Sequence, residues 1–157
     1  MKAYQISDVE KKPEMPDFEI SEMKERGLIT GSYVFGGWKK AKGSDIDILL
    51  LRDNEYMKSI DKYLVAASGS ISDGTTYRAY YAHNNGVYFN LIVAEREKEF
   101  NAWKKAHEFL LHLKIQSSDF AELLKIKKFR VQQFQLLRET FGWKEYFEDK
   151  KIDEIEF

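Results

Sequence analysis

Apolar residues along the chain fall into two kinds of pattern, one on each side of residue 95. Before it, short apolar runs alternate with glycine-rich and polar stretches. Asp45-Ile-Asp-Ile-Leu-Leu-Leu51 is the most distinct of these runs, and its continuity marks a strand buried on much of both faces. Leu28-Ile29-Thr30 predicts a shorter strand that enters a loop at Gly31-Ser32. Thr75–Ala82 and Val87–Ala94 are rich in β-branched and aromatic residues, and Asn85-Gly86 between them is a favoured two-residue hairpin turn. That turn sets a register in which Tyr81 faces Asn90, His83 faces Tyr88 and Ala79 faces Ile92.

Helical spacing accounts for most of the rest. Asp17–Arg26 fits a short helix with Asp17 as N-cap, Ile20 and Met23 facing inward, and Gly27 at its stop. Asn54–Ala67 fits a second, with Tyr56, Ile60, Tyr63 and Leu64 on one side. From Arg96 onward the pattern is helical throughout. Phe100, Trp103, His107, Leu110 and Leu111 share one face, and a helix over Asp119–Glu139 opens on a capping-box-like Asp119-Phe-Ala-Glu122. Met1–Pro16 reads as a loosely held arm and Ser68–Gly74 as a loop. The expected fold is α+β: a small mixed sheet with flanking helices and a helical C-terminal third. A single domain is expected, with a core over 17–95 and a helical extension over 96–157.

Composition narrows the function. The chain has 157 residues, 43% hydrophobic and 32% charged, the proportions of a soluble globular protein with one substantial core. A net charge of -1 argues against an overall electrostatic grip on nucleic acid. The absence of cysteine excludes disulfides and thiolate zinc sites. No apolar run reaches the roughly 20 residues of a membrane span, and the N-terminal residues lack the apolar stretch of a signal peptide. A cytoplasmic location is therefore expected.

The chemistry centres on Asp45 and Asp47. Alternate residues of a strand point to the same face, so the two carboxylates project together, about 6 to 7 Å apart at Cβ. Such a pair repels itself unless a cation lies between, and magnesium favours carboxylate oxygen. Upstream, Gly31-Ser32 offers backbone N–H groups and a hydroxyl to phosphate oxygens, with no side chain on the glycine to hold a phosphate away. Either element alone is common: an Asp-x-Asp can be solvated, and a Gly-Ser can be an ordinary turn.

Together they resemble the DNA polymerase β-type nucleotidyltransferase superfamily. Its signature is a hydrophobic strand, Gly-Ser, a spacer of about a dozen residues, and Asp-x-Asp in a hydrophobic strand. Leu28-Ile-Thr-Gly-Ser32 and Asp45-Ile-Asp-Ile-Leu49 match it, and Gly43-Ser-Asp-Ile-Asp47 is similar to the minimal members. The C-terminal pattern, a hairpin strand and then a helix bearing Phe100 and Trp103, also looks like small nucleotidyltransferase-like proteins of phages.

The resemblance implies a nucleoside triphosphate bound with Mg2+ on Asp45 and Asp47. Gly31, Ser32, Gly36, Lys42 and Ser44 would surround the phosphates, and the acceptor would be a hydroxyl of a small molecule, protein or RNA end. In the family a third carboxylate stands where this chain has Asn90, which is neutral and a poor base. His83, Asp73 and Glu95 are the possible substitutes, with His83 at a hairpin end as the alternative to a catalytic role. Lys39 and Lys40 either meet the triphosphate or are solvated. Lys125, Lys127, Lys128 and Arg130 are expected mostly on the wet side of a core helix, and His107 within a core. A catalytically weak module that binds a nucleotide or a partner, like the antitoxin-like members, is the alternative function.

Overall fold

The computed structural model describes residues 6–41, 43–67 and 77–149, the last seven by their backbone alone. The chain forms two compact units, one ending at Glu97 and one beginning at Lys98. The first unit is a mixed five-stranded sheet with helices. Its strands are β1 (Leu28–Thr30), β2 (Asp45–Leu51), β3 (Val65–Ala66), β4 (Arg78–Asn84) and β5 (Val87–Ala94), in the order β1-β2-β5-β4-β3. Strand β2 runs antiparallel to β1 and parallel to β5, so it has partners on both sides, as its apolar continuity requires. The β4–β5 hairpin turns at Asn85 and Gly86, with φ of 49° and 75°, and pairs Tyr81 with Asn90, His83 with Tyr88 and Ala79 with Ile92.

Helices α2 (Asp17–Arg26) and α4 (Asn54–Ile60) cover one face of the sheet. Ile20, Met23, Tyr56, Met57 and Ile60 pack there against Ile46, Ile48, Leu50, Phe89, Leu91 and Val93. This continuous apolar layer is the core of the unit and leaves the other face, bearing Asp45 and Asp47, available for polar groups.

Several elements depart from the sequence expectation. From Ile6 onward the N-terminal arm is not loose: α1 (Ile6–Lys11) lays Val9 against Tyr81 and Tyr88, and Met15 is fully buried and tied by its N–H to the His83 carbonyl, 2.9 Å. The long helix expected from Asn54 ends at Ile60, continues as one 3-10 turn over Asp61–Tyr63 and passes into β3. Asp53, not Asn54, caps α4, accepting from the Tyr56 N–H at 3.1 Å. Asp17 is the first residue of α2 and not its cap; it accepts instead from the Asn84 amide, 3.0 Å. The expected strand from Thr75 begins at Arg78, and the expected loop 68–74 with Thr75 and Thr76 lies outside the described residues.

The second unit holds α5 (Glu97–Gln116), α6 (Ser118–Leu124) and α7 (Lys127–Asp149). Here one expected helix is two, because the chain breaks after Leu124. Ser117, not Asp119, caps α6 through its hydroxyl, which accepts from the Phe120 N–H. The buried Arg130 guanidinium donates to the Leu124 carbonyl at 2.8 Å and closes the end of α6, so it is not on the wet side; Lys125, Lys127 and Lys128 are. Phe134 packs on Trp103 and His107, with ring centroids 6.0 and 6.5 Å away. No helix among the described residues is long and apolar enough to cross a membrane.

Gly27 ends α2 in extended backbone (φ -109°), so a left-handed stop is not what it provides. A Cβ there would lie 2.8 Å from the Leu49 carbonyl oxygen and 2.9 Å from the Leu50 side chain, so glycine permits the close approach of α2 to β2. Gly27→Ala should destabilise the fold by about 1–3 kcal/mol, the typical cost of overpacking; chemical denaturation of the purified protein reads this as a lower midpoint with an unchanged slope.

Candidate active site

The pairing register builds a polar row across four strands on the face opposite α2 and α4. Thr30 on β1 is paired with Asp47 on β2, Asp47 with Asn90 on β5, and Asn90 with Tyr81 on β4. Residues directly opposite on paired strands share a face, so these four side chains stand side by side. Asp45 lies two residues along β2 on the same face, in a second row with Tyr88 and His83. Asp45 and Asp47 are half-buried, whereas Ile46 between them is buried in the opposite layer.

Gly31 brings the upstream bend into this row. It leaves β1 with φ 74° and begins the single helical turn α3 (Ser32–Phe35), which Gly36 ends with φ 118°. A Cβ at Gly31 would collide with the Asp47 carboxylate, so the backbone of the bend and that carboxylate are in direct contact. A left-handed φ and an occupied Cβ position both demand glycine here. Ser32 follows immediately and is half-buried.

Asn90 closes the row in an unexpected way. Its Nδ2 donates to Asp47 Oδ1 at 3.1 Å, while its Oδ1 is buried and has no hydrogen-bond partner among the described residues. A buried acceptor left unmatched costs stability unless a donor or a cation meets it. Two carboxylates and an unmatched carbonyl oxygen are hard donors of the kind magnesium takes. Among the described residues no group of three or more His, Cys, Asp or Glu is placed to hold a metal ion, so the oxygens this row could offer a cation are those of the two carboxylates and Asn90.

Tyr81 belongs to the site although no motif marks it. The hairpin register already set it opposite Asn90, and it is 8% exposed. Burial first, then the charges of Asp45 and Asp47, push its phenol up to about 12, so it stays protonated. Tyr88 donates to Glu10 of α1 at 2.6 Å, which anchors that helix beside the pair.

Other candidates are engaged elsewhere. His83 does not serve the carboxylates: its Nε2 meets the Lys12 carbonyl at 2.8 Å and holds the N-terminal arm. Glu95 lies beyond the far end of β5 and binds Arg52 at 2.8 Å, which removes it as a substitute for a third carboxylate. The Ser44 hydroxyl accepts from the Lys39 backbone N–H at 3.2 Å and braces the loop that leads into β2. Lys39 and Lys40 are exposed, and Lys40 lays its stem near Gly86. Lys42 and Asp73 lie outside the described residues.

Set against family models, curated proteins and solved structures, the chain matches none.

The phenol tests the row directly. An unfolded tyrosine ionises near 10, so the neutral Tyr81 contributes stability below pH 10 that is lost as pH rises toward 12. The phenolate absorbance of wild type minus Tyr81→Phe should show a midpoint near 12. In Asp45→Asn/Asp47→Asn it should move down but stay above 10, because burial is the larger cause. An unmoved midpoint would place the phenol away from the carboxylates.

Proposed function

We propose that this protein is a Mg2+-dependent nucleotidyltransferase that moves a nucleoside monophosphate from a nucleoside triphosphate to a hydroxyl acceptor. The observation that supports this most is the contact of the Gly31 bend with Asp47, which brings a glycine-serine turn against a carboxylate pair on one strand. Asp45 and Asp47 would hold the ion through their carboxylates, and Asn90 Oδ1 offers it a neutral oxygen. Bound magnesium would neutralise charge on the triphosphate and orient the α-phosphate for in-line attack. Two carboxylates suffice for that role, since magnesium sites commonly take their remaining ligands from substrate phosphates and water.

The chain's own groups would then do the following. The Gly31–Ser32 backbone and the Ser32 hydroxyl would bind β- and γ-phosphate oxygens, and the absent Cβ lets the bend lie against Asp47. The acceptor oxygen bonds to the α-phosphorus as the bond to the bridging oxygen breaks, and pyrophosphate leaves. Asn90 is neutral and Tyr81 holds its own proton, so neither removes the acceptor's proton, which passes to water. Tyr81 sets a neutral phenol beside the two carboxylates and adds no further negative charge there. Slow turnover follows from this arrangement.

A second reading has its own support. The Asn90 amide occupies one oxygen of Asp47, and no third carboxylate joins the pair among the described residues. Both features suit a module that binds a nucleotide with magnesium and does little chemistry.

One comparison separates the two. Protein incubated with magnesium, each labelled triphosphate and hydroxyl acceptors (a polyol, a protein hydroxyl and an RNA 3′ end) should release pyrophosphate, at a rate at least about 100-fold lower in Asp47→Ala, which loses a proposed metal ligand. Asn90→Asp should raise the rate roughly 10- to 100-fold by restoring a base. Magnesium-dependent nucleotide binding by calorimetry, with no pyrophosphate from either wild type or Asn90→Asp, would establish the module and refute the enzyme.

A further inference from the structure

The sheet's other face carries a cleft that the carboxylate pair does not use. It has a volume of about 390 Å³, within the range of small-ligand sites, and its floor is Ile46 and Phe89. Both floor residues belong to the apolar layer under α2, so the cleft and the Asp45–Asp47 row are separated by the sheet itself. Tyr33 and Trp38 form one wall, edge to face with centroids 5.0 Å apart. Lys24 of α2 stands at the rim with its ammonium 6.0 Å from the Phe89 ring centroid.

Three features there are incompletely matched among the described residues. Tyr33 is a large aromatic left 49% exposed. The Trp38 indole N–H is out of contact with solvent and has no acceptor among the described residues. Lys24 has no carboxylate partner among the described residues, and its charge rests only over an aromatic face. The rim carboxylate of Asp17 is already taken up by the Asn84 amide. An exposed flat aromatic ring favours a planar ligand ring, and an ammonium with no carboxylate partner favours an attached anion.

We propose that this cleft is a second binding site, which takes a nucleotide unit: a heteroaromatic base stacked on the exposed Tyr33 ring beside Trp38, with its phosphate at Lys24. Base-on-aromatic stacking with a basic side chain on the phosphate is the general means by which proteins hold unpaired nucleotides. The site does not depend on the reading of the carboxylate pair. Its ligand is either a free mononucleotide or one unit of a single strand.

The indole N–H resonance of Trp38, assigned by its loss in Trp38→Phe, reports the cleft directly. Titrations without magnesium and with excess EDTA silence metal-dependent binding at the carboxylates. AMP and UMP should shift this resonance, whereas inorganic phosphate should not and adenosine should bind more weakly. Lys24→Glu, at an exposed position that leaves the fold intact, should weaken AMP about tenfold or more by reversing a charge near the phosphate. Asp47→Ala should leave AMP binding unchanged. A 5′-phosphorylated oligoadenylate that binds more tightly than AMP assigns the site to a strand, and equal affinity assigns it to free nucleotide. The proposal is overturned if the resonance does not move at millimolar AMP or UMP, if Lys24→Glu binds as wild type does, or if Asp47→Ala abolishes the shift.

Discussion

The contact between the Gly31 backbone and the Asp47 carboxylate is the constraint on which the candidate site depends. Strand β1 must deliver the bend at the level of Asp47, and the Thr30–Asp47 pairing does so. The next residue must then turn with a positive φ and no Cβ, which only glycine does without strain. Any larger residue would collide with the carboxylate and push the bend away from it. A backbone rule and a packing rule therefore select the same residue at the same place.

That contact rests on the packing and pairing of the rest of the sheet. One face is sealed by the apolar layer of α2 and α4, and β2 is paired along its length with β5. The carboxylates thus project from a strand whose neighbours cannot slip by one residue without moving an entire apolar set into water. The opposite face can then carry charge. Asp45 and Asp47 are close enough to raise the Tyr81 phenol, and the row Thr30–Asp47–Asn90–Tyr81 spreads polar groups where an apolar layer would otherwise run. Helix α1 covers the edge of that face, with Val9 on Tyr81 and Tyr88 and Glu10 on the Tyr88 hydroxyl.

Asn90 sets the character of the site. A carboxylate in its place would add a third negative charge beside two others and demand a compensating cation at all times. An amide instead donates one hydrogen bond to Asp47 and leaves a buried oxygen for a guest. The row thereby carries two negative charges and not three, and it lacks a third carboxylate that could act as a base.

Much of this was legible in the chain. Asp45–Leu51 declared a buried strand with two acidic residues on one face, because a period of two is intrinsic to extended backbone. Asn85-Gly86 declared the hairpin and with it the pairing of Tyr81 with Asn90, because turn chemistry sets register. What tertiary structure alone decided involves contacts between residues far apart in sequence. The direct touch of Gly31 on Asp47, the engagement of His83 by the arm at Lys12, and the ordering of that arm by Val9 and Met15 depend on which segments meet in space. The early end of α4 at Ile60 and the break before α7 have the same origin, since a strand partner for Val65 and a capping guanidinium from Arg130 outweigh local helical preference. Local periodicity specifies what each segment can become, and burial against distant partners selects among those states.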